Sequence, residues 1–376
     1  MKILYVFRSL AVWGGIERIL VEKMNILSTV YNYDVYILTS DQGDHPIPYH
    51  LEECVHMEDL NIRFHQQYQY PFPRRLFVAR RLKLQYEQQL ADRISKIQPD
   101  VIVCTTADHI DMLVKLKGSI PLVVESHSIC MRTIEDGNCW LRRKWHRYHY
   151  LKAISKTDVL VALTEGDAAE WRKVHHNVFV IPNLVHLNDG AVSSLENKRV
   201  IFVGRFDYQK RPMEMIRIWE KVYPLHPDWQ LDIYGEGEQQ QDLQNVARSL
   251  NKNIVIHQPT KNIFDCYRES SILVSTSLFE PFGLVIPEAM SCGLPVVAGD
   301  CPYGPGDIIS DGRNGFLIRY NDTEEFVAKL CLLMSDRGLR NKMGMAGVMA
   351  ANKYHSAHIM PQWRNLFELL IEKKEK

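Results

Sequence analysis

Short apolar runs of strand length alternate with longer helical patterns along nearly the whole chain, and the alternation occurs twice. In the first half the runs fall near residues 2–7, 34–39, 101–105, 121–125, 159–164 and 178–182, with helical patterns at 16–29, 75–97 and 141–156. In the second half they fall near 199–204, 230–235, 253–257, 271–276, 295–299 and 315–319. A strand that is apolar at every position has both faces covered, the condition of a parallel sheet wrapped in helices. Two such series predict an α/β protein of two doubly wound, Rossmann-like domains. Ligands of such sheets bind outside the C-terminal ends of the strands, so the domains are expected to face a central cleft. The polar, turn-rich stretch 185–198 reads as a linker between a first domain at 1–184 and a second at 199–354. A last helical pattern at 355–376 belongs to neither series and is expected to pack back toward the first domain.

At 376 residues the chain is long for one core and sufficient for two. Its 45 basic residues balance its 45 acidic ones, so no global charge draws it to nucleic acid. The opening segment Met1 to Arg8 reads as a first strand, too short in its apolar run for a signal peptide, and no stretch has the length of a membrane span. The eight cysteines form no C-x-x-C pair and read as scattered reduced thiols of a cytoplasmic enzyme.

The chemistry concentrates after strand ends. The string Glu280-Pro281-Phe282-Gly283-Leu284-Val285-Ile286-Pro287-Glu288 follows the strand at 272–276 and leads into a helix. Phe282, Gly283 and Leu284 are expected to present free backbone N–H groups there, suited to a phosphate or sugar oxygen. Glu280 precedes the helix and Glu288 lies within it, so the two carboxylates address one elongated ligand at different points. Pro287 lacks an N–H and is expected to shift or bend the helix start. A second constellation, Gly204-Arg205-Phe206-Asp207-Tyr208-Gln209-Lys210-Arg211-Pro212, places two long cations between a strand end and a helix start. A third, Trp13-Gly14-Gly15, joins the first strand to its helix without forming the G-x-G-x-x-G dinucleotide fingerprint. His127 follows the strand near 121–125. No cation motif lies in a suitable loop, and His175-His176 lacks metal-ligand spacing.

Taken together, these motifs resemble the retaining glycosyltransferases of GT-B fold often called GT4 (glycosyl transferases group 1), in the branch that builds bacterial polysaccharides and lipid-linked glycans. The likeness is dense from 199 to 320 and sparse from 40 to 100. It implies that Glu280 contacts donor-sugar hydroxyls near the reacting carbon and that Glu288 holds the ribose. It implies diphosphate binding by Arg205 and Lys210, a donor-phosphate contact at Gly15, an acceptor-side place for Trp13, and a sugar contact for His127. The partners it implies are a nucleotide-sugar donor, UDP-linked by family habit, and a glycan or lipid-linked acceptor, with no metal and no cofactor. A sugar-nucleotide epimerase of the same fold, or a catalytically silent partner subunit, would share much of the architecture.

Two basic-aromatic stretches, 74–83 and 140–148, stand apart from these motifs. They read equally well as amphipathic helices with solvated cations or as surfaces that dock on anionic lipid at the inner face of the cytoplasmic membrane.

Overall fold

The computed structural model describes residues 1–106, 109–130 and 140–375. The chain divides into two units, Met1–Ile181 with Met360–Lys376, and Pro182–Ile359. The first holds strands β1 (Lys2–Phe7), β2 (Asp34–Thr39), β3 (His56–Asp59), β4 (Val101–Thr105), β5 (Leu122–Glu125), β6 (Val159–Ala162) and β7 (Val178–Val180). They form one sheet in the order β3-β2-β1-β4-β5-β6-β7, parallel throughout. The second holds β8 (Arg199–Val203), β9 (Gln230–Tyr234), β10 (Ile254–His257), β11 (Ile272–Ser275), β12 (Val296–Gly299) and β13 (Gly315–Ile318), parallel in the order β10-β9-β8-β11-β12-β13. The expected pair of doubly wound sheets is present.

The central strands β4, β5, β6 and β11 are buried at every position, which is why they read as unbroken apolar runs. The edge strand β3 carries the sequence His-Met-Glu-Asp and buries no residue, so no hydrophobic pattern announces it. Helix α1 (Gly15–Thr29) follows β1, and α2 (Arg74–Ile97) precedes β4. In the second unit, α3 (Pro212–Val222) starts on a proline at a position where no amide hydrogen is needed. It drives Met215, Ile216 and Trp219 into a core shared with Phe202 and Phe206. Residues 185–198, read as a linker, are bound into the second unit: the Val185 amide donates to the Tyr354 carbonyl, and Arg340 donates to the Leu195 carbonyl. The terminal helix α4 (Ser356–Glu375) runs into the first unit, where the Trp363 ring lies 3.9 Å from the Lys23 ammonium.

Strand order locates the functional loops. In each sheet the winding reverses beside its first strand, between β1 and β4 and between β8 and β11. At such a switch point the loops leaving neighbouring strands diverge to opposite faces and open a crevice at their C-terminal ends.

Candidate active site

In the second unit the loop after β8 and the loop after β11 meet at that switch point. Lys210 Nζ lies 2.5 Å from Glu280 Oε2, although the two residues are 70 positions apart in the chain. Ser277 Oγ donates to the same oxygen at 3.1 Å, and the Glu280 side chain is 10% exposed. The Lys210 loop is itself tied down. Its amide donates to Asp207 Oδ1 at 2.9 Å, the Leu278 amide donates to the Gln209 carbonyl at 2.7 Å, and Gln209 Nε2 donates to the Phe279 carbonyl at 3.2 Å. Arg205 is more open, 67% exposed, with Nε 3.0 Å from Asp207 Oδ2 and a further bond to Gln209. A half-buried lysine held on a carboxylate, with an arginine at the rim, forms a cationic pocket edge suited to a diphosphate.

The backbone of the Glu280 string is shaped by close approach. Gly283 has φ +93, a left-handed conformation that favours glycine, and a Cβ there would lie 3.0 Å from Glu280 Cγ. Gly304 donates its amide to the Glu280 carbonyl at 2.8 Å, and a Cβ on it would run into the Phe282 carbonyl. The short helix begins at Val285 with Leu284 as its cap, so Pro287 falls in the first turn, where a missing amide hydrogen is tolerated. The amides of Phe282, Gly283 and Leu284 meet no acceptor among the described residues. Phe282 is 2% exposed, with its ring edge-on against Tyr354. Glu288 is 2% exposed and accepts a long bond, 3.4 Å, from the Tyr267 hydroxyl.

The first unit carries its own cluster. His127, at the end of β5, has a side chain 4% exposed and Nε2 3.1 Å from Glu125 Oε2. The other oxygen of Glu125 is bound by Lys23, which projects from α1 and is 1% exposed. Burial works to raise the Glu125 carboxyl, but the Lys23 ammonium and the His127 ring hold it below its ordinary value. Desolvation pulls the Lys23 ammonium down as well, against the opposing charge of Glu125, and the contact fixes one edge of the imidazole. Gly15 opens α1, and its amide has no acceptor among the described residues. Glu17, beside Gly14, is pushed up by desolvation, against its own backbone bond and the charge of His127. A carboxyl biased toward its neutral form repels an anion at this helix start less than an ionised one does. Trp13 is 54% exposed and meets Tyr49 edge-on at 6.5 Å.

The structure thus brings Lys210 to Glu280, keeps Arg205 on the same loop, and places Gly15 and His127 in the first unit. Sequence reading had missed Ser277, Gln209, Glu125 and Lys23, whose partners lie 2 to 102 positions away. Among the described residues no group of three or more His, Cys, Asp or Glu side chains assembles as a metal site, and every cysteine is free.

Comparison with known proteins agrees with this division. The model of Glycosyltransferase Family 4 matches residues 13–189, and that of Glycosyl transferases group 1 matches residues 190–348. The chain is 30% identical over 220 residues to an uncharacterized glycosyltransferase of Haemophilus influenzae, covering 57% of this chain and 62% of that one. It is 25% identical to the amylovoran biosynthesis glycosyltransferase AmsD of Erwinia amylovora, covering 97% and 99%. Among solved structures, a sucrose-phosphate synthase of Thermosynechococcus elongatus superposes with TM-score 0.81 at 16% identity, covering 99% and 100% of the two chains. The TarM protein of S. aureus, solved with UDP, superposes with TM-score 0.77 at 17% identity, covering 97% and 99%. With two family models meeting at residue 190 and spanning nearly the whole chain, and with both sheets in place, the protein belongs to the GT-B glycosyltransferases of the group 1 type.

Proposed function

We propose that this glycosyltransferase moves a hexosyl or N-acetylhexosaminyl group from a UDP-linked donor to a glycan or lipid-linked glycan acceptor, with retention and without a metal, in surface polysaccharide biosynthesis. The observation that carries the reading is the buried Glu280 carboxylate, held by Lys210 and Ser277 beside loop amides with no acceptor among the described residues. A carboxylate receives sugar hydroxyls, while amides and cations receive phosphate oxygens. The relatives support the substrate class. A Campylobacter jejuni enzyme 24% identical over 97% of this chain is named as an α-1,4-N-acetylgalactosaminyltransferase acting on an undecaprenol-diphosphate glycan. A Staphylococcus aureus relative, 28% identical over 58% of this chain, is named as a poly(ribitol-phosphate) α-N-acetylglucosaminyltransferase.

In this mechanism the bond from the anomeric carbon to the diphosphate breaks as the acceptor oxygen approaches from the same face. Lys210, Arg205 and the amides of Phe282 to Leu284 take up the charge that grows on the leaving diphosphate, the work otherwise done by a cation. Glu280 and His127 orient the sugar, Gly15 meets the donor phosphate, Glu288 holds the ribose, and Trp13 borders the acceptor. The departing phosphate accepts the acceptor's proton, so no separate base is required.

Glu280→Gln keeps the bonds from Ser277 and Lys210 but removes the charge. We expect kcat to fall by about 10²–10³ while the thermal shift given by UDP is retained. Near-normal turnover would refute the assignment. A panel of UDP, GDP and ADP sugars in the same thermal assay, with product anomericity read by NMR, tests donor and stereochemistry.

A further inference from the structure

The start of α2 is not built for the core. Between Leu60 and Tyr86 the chain contains no Asp or Glu but carries Arg63, Arg74, Arg75, Arg80, Arg81 and Lys83. The helix buries Leu82, Tyr86, Leu90 and Ile94, one stripe at four-residue spacing, and before Leu82 only Val78 packs, partly buried, against the core. Phe72, Leu76, Phe77 and Leu84 are instead 78%, 58%, 73% and 51% exposed, and Tyr68 is 66% exposed. Phe77 and Leu84 stand two turns apart on the side away from Leu82, and Arg80 and Arg81 flank them. Arg74, Arg75, Arg80 and Arg81 are exposed, and none pairs with a carboxylate among the described residues. Arg75 and Arg74 lie over the Tyr68 and Tyr70 rings at 4.1 and 4.9 Å, which holds their charges beside the aromatic cluster. Lys83 is spent on Asp111 at 3.0 Å.

We propose that this surface docks the protein on an anionic lipid bilayer, with the four arginines at headgroup phosphates and Phe72, Leu76, Phe77 and Leu84 in the acyl boundary. Exposed apolar side chains ringed by unpaired cations are the composition of an interfacial helix. The aliphatic Leu76 and Leu84 decide against a nucleic acid, which offers phosphates and stacking faces but no apolar interior for them. No helix among the described residues is long and apolar enough to cross a membrane, so any attachment through this surface is peripheral. None of its residues belongs to the candidate active site, and the proposal stands whether or not the donor assignment does.

The test is flotation of the full chain with vesicles of phosphatidylcholine alone and of phosphatidylcholine with phosphatidylglycerol, at low and high salt (about 0.05 and 0.5 M). Wild type is expected to float with the anionic vesicles at low salt only. Arg74→Gln, Arg75→Gln, Arg80→Gln and Arg81→Gln together remove about fivefold in affinity each, several hundredfold in all. Phe72→Ser with Phe77→Ser is expected to abolish flotation even though it leaves the charge intact. Both variants should keep the wild-type melting curve and the thermal shift given by UDP, which separates loss of docking from loss of fold or donor site. Wild type left in the soluble fraction, equal binding to neutral vesicles, flotation unaffected by either variant, or a preference for single-stranded DNA over vesicles would each overturn the proposal.

Discussion

Replacing Glu125 by Gln isolates a buried ion pair in the first unit. The Lys23 and Glu125 side chains are 1% and 3% exposed, and Lys23 is packed between the Tyr5 and Trp363 rings. In Glu125→Gln the ammonium has lost the one buried counter-charge it meets among the described residues, and the least costly native state is one with Lys23 neutral. Removing a proton of ordinary pKa about 10.4 at pH 7.5 costs about 4 kcal/mol. That figure agrees with the roughly 3–5 kcal/mol measured when buried pairs are broken. For a unit of this size it corresponds to a drop in Tm of about 8–16 °C. The folded variant lacks a proton that its unfolded chain holds, so its stability rises by about 1.4 kcal/mol per pH unit between pH 7 and 9 relative to wild type. Lys23→Met is the opposite case. Its folded state must take up a proton, on Glu125 or on His127 at 3.1 Å, and its stability falls as pH rises. The double variant buries no charge, and Met suits a site between aromatic rings, so its stability should return to within about 2 kcal/mol of wild type with little pH dependence. Urea unfolding of all four proteins at several pH values between 6 and 9 measures this. Parallel pH profiles for the two single variants, or a double variant no more stable than the weaker single, would refute the buried ion pair.

Two further outcomes follow from buried geometry. Desolvation pushes the Asp167 carboxyl up to about 6 despite bonds from Trp171, Cys130 and Ser126. The folded chain then holds a proton that the unfolded chain releases, so stability should fall by up to about 3 kcal/mol as pH rises from about 4 to 6. Asp167→Asn should flatten that slope in pH-dependent urea unfolding, and an unchanged slope would exclude Asp167 as its source. Gly304→Ala drives a methyl into the Phe282 carbonyl. It should lower UDP affinity by about tenfold or more, read by calorimetry, because the backbone must shift about where the loop amides stand.

The architecture was legible from residues alone because it depends on local pattern. Runs such as Val101–Thr105 and Ile272–Ser275 are apolar at every position, and only a strand covered on both faces calls for that. The edge strand His56–Asp59 escaped notice for the same reason, since it buries nothing and leaves no periodic signal. Glu280, Lys210 and Gly15 could be singled out as candidates because each follows a strand end within a recognisable string of neighbours. Pro287 falls in the first turn of the helix, the place where a missing amide hydrogen is tolerated.

Partnership between distant side chains was a matter for the tertiary structure. The Lys210–Glu280 contact spans 70 residues and exists because β8 and β11 are neighbours in the sheet, an order that sequence proximity does not encode. The Lys23–Glu125–His127 chain joins α1 to the end of β5, and no motif marks a buried lysine whose counter-charge lies 102 residues away. Exposure was decided there too. The apolar residues at the start of α2 have the same composition whether they face a core or water, and only the packing of the helix shows that Phe77 and Leu84 are left outside while Leu82 and Tyr86 are taken in.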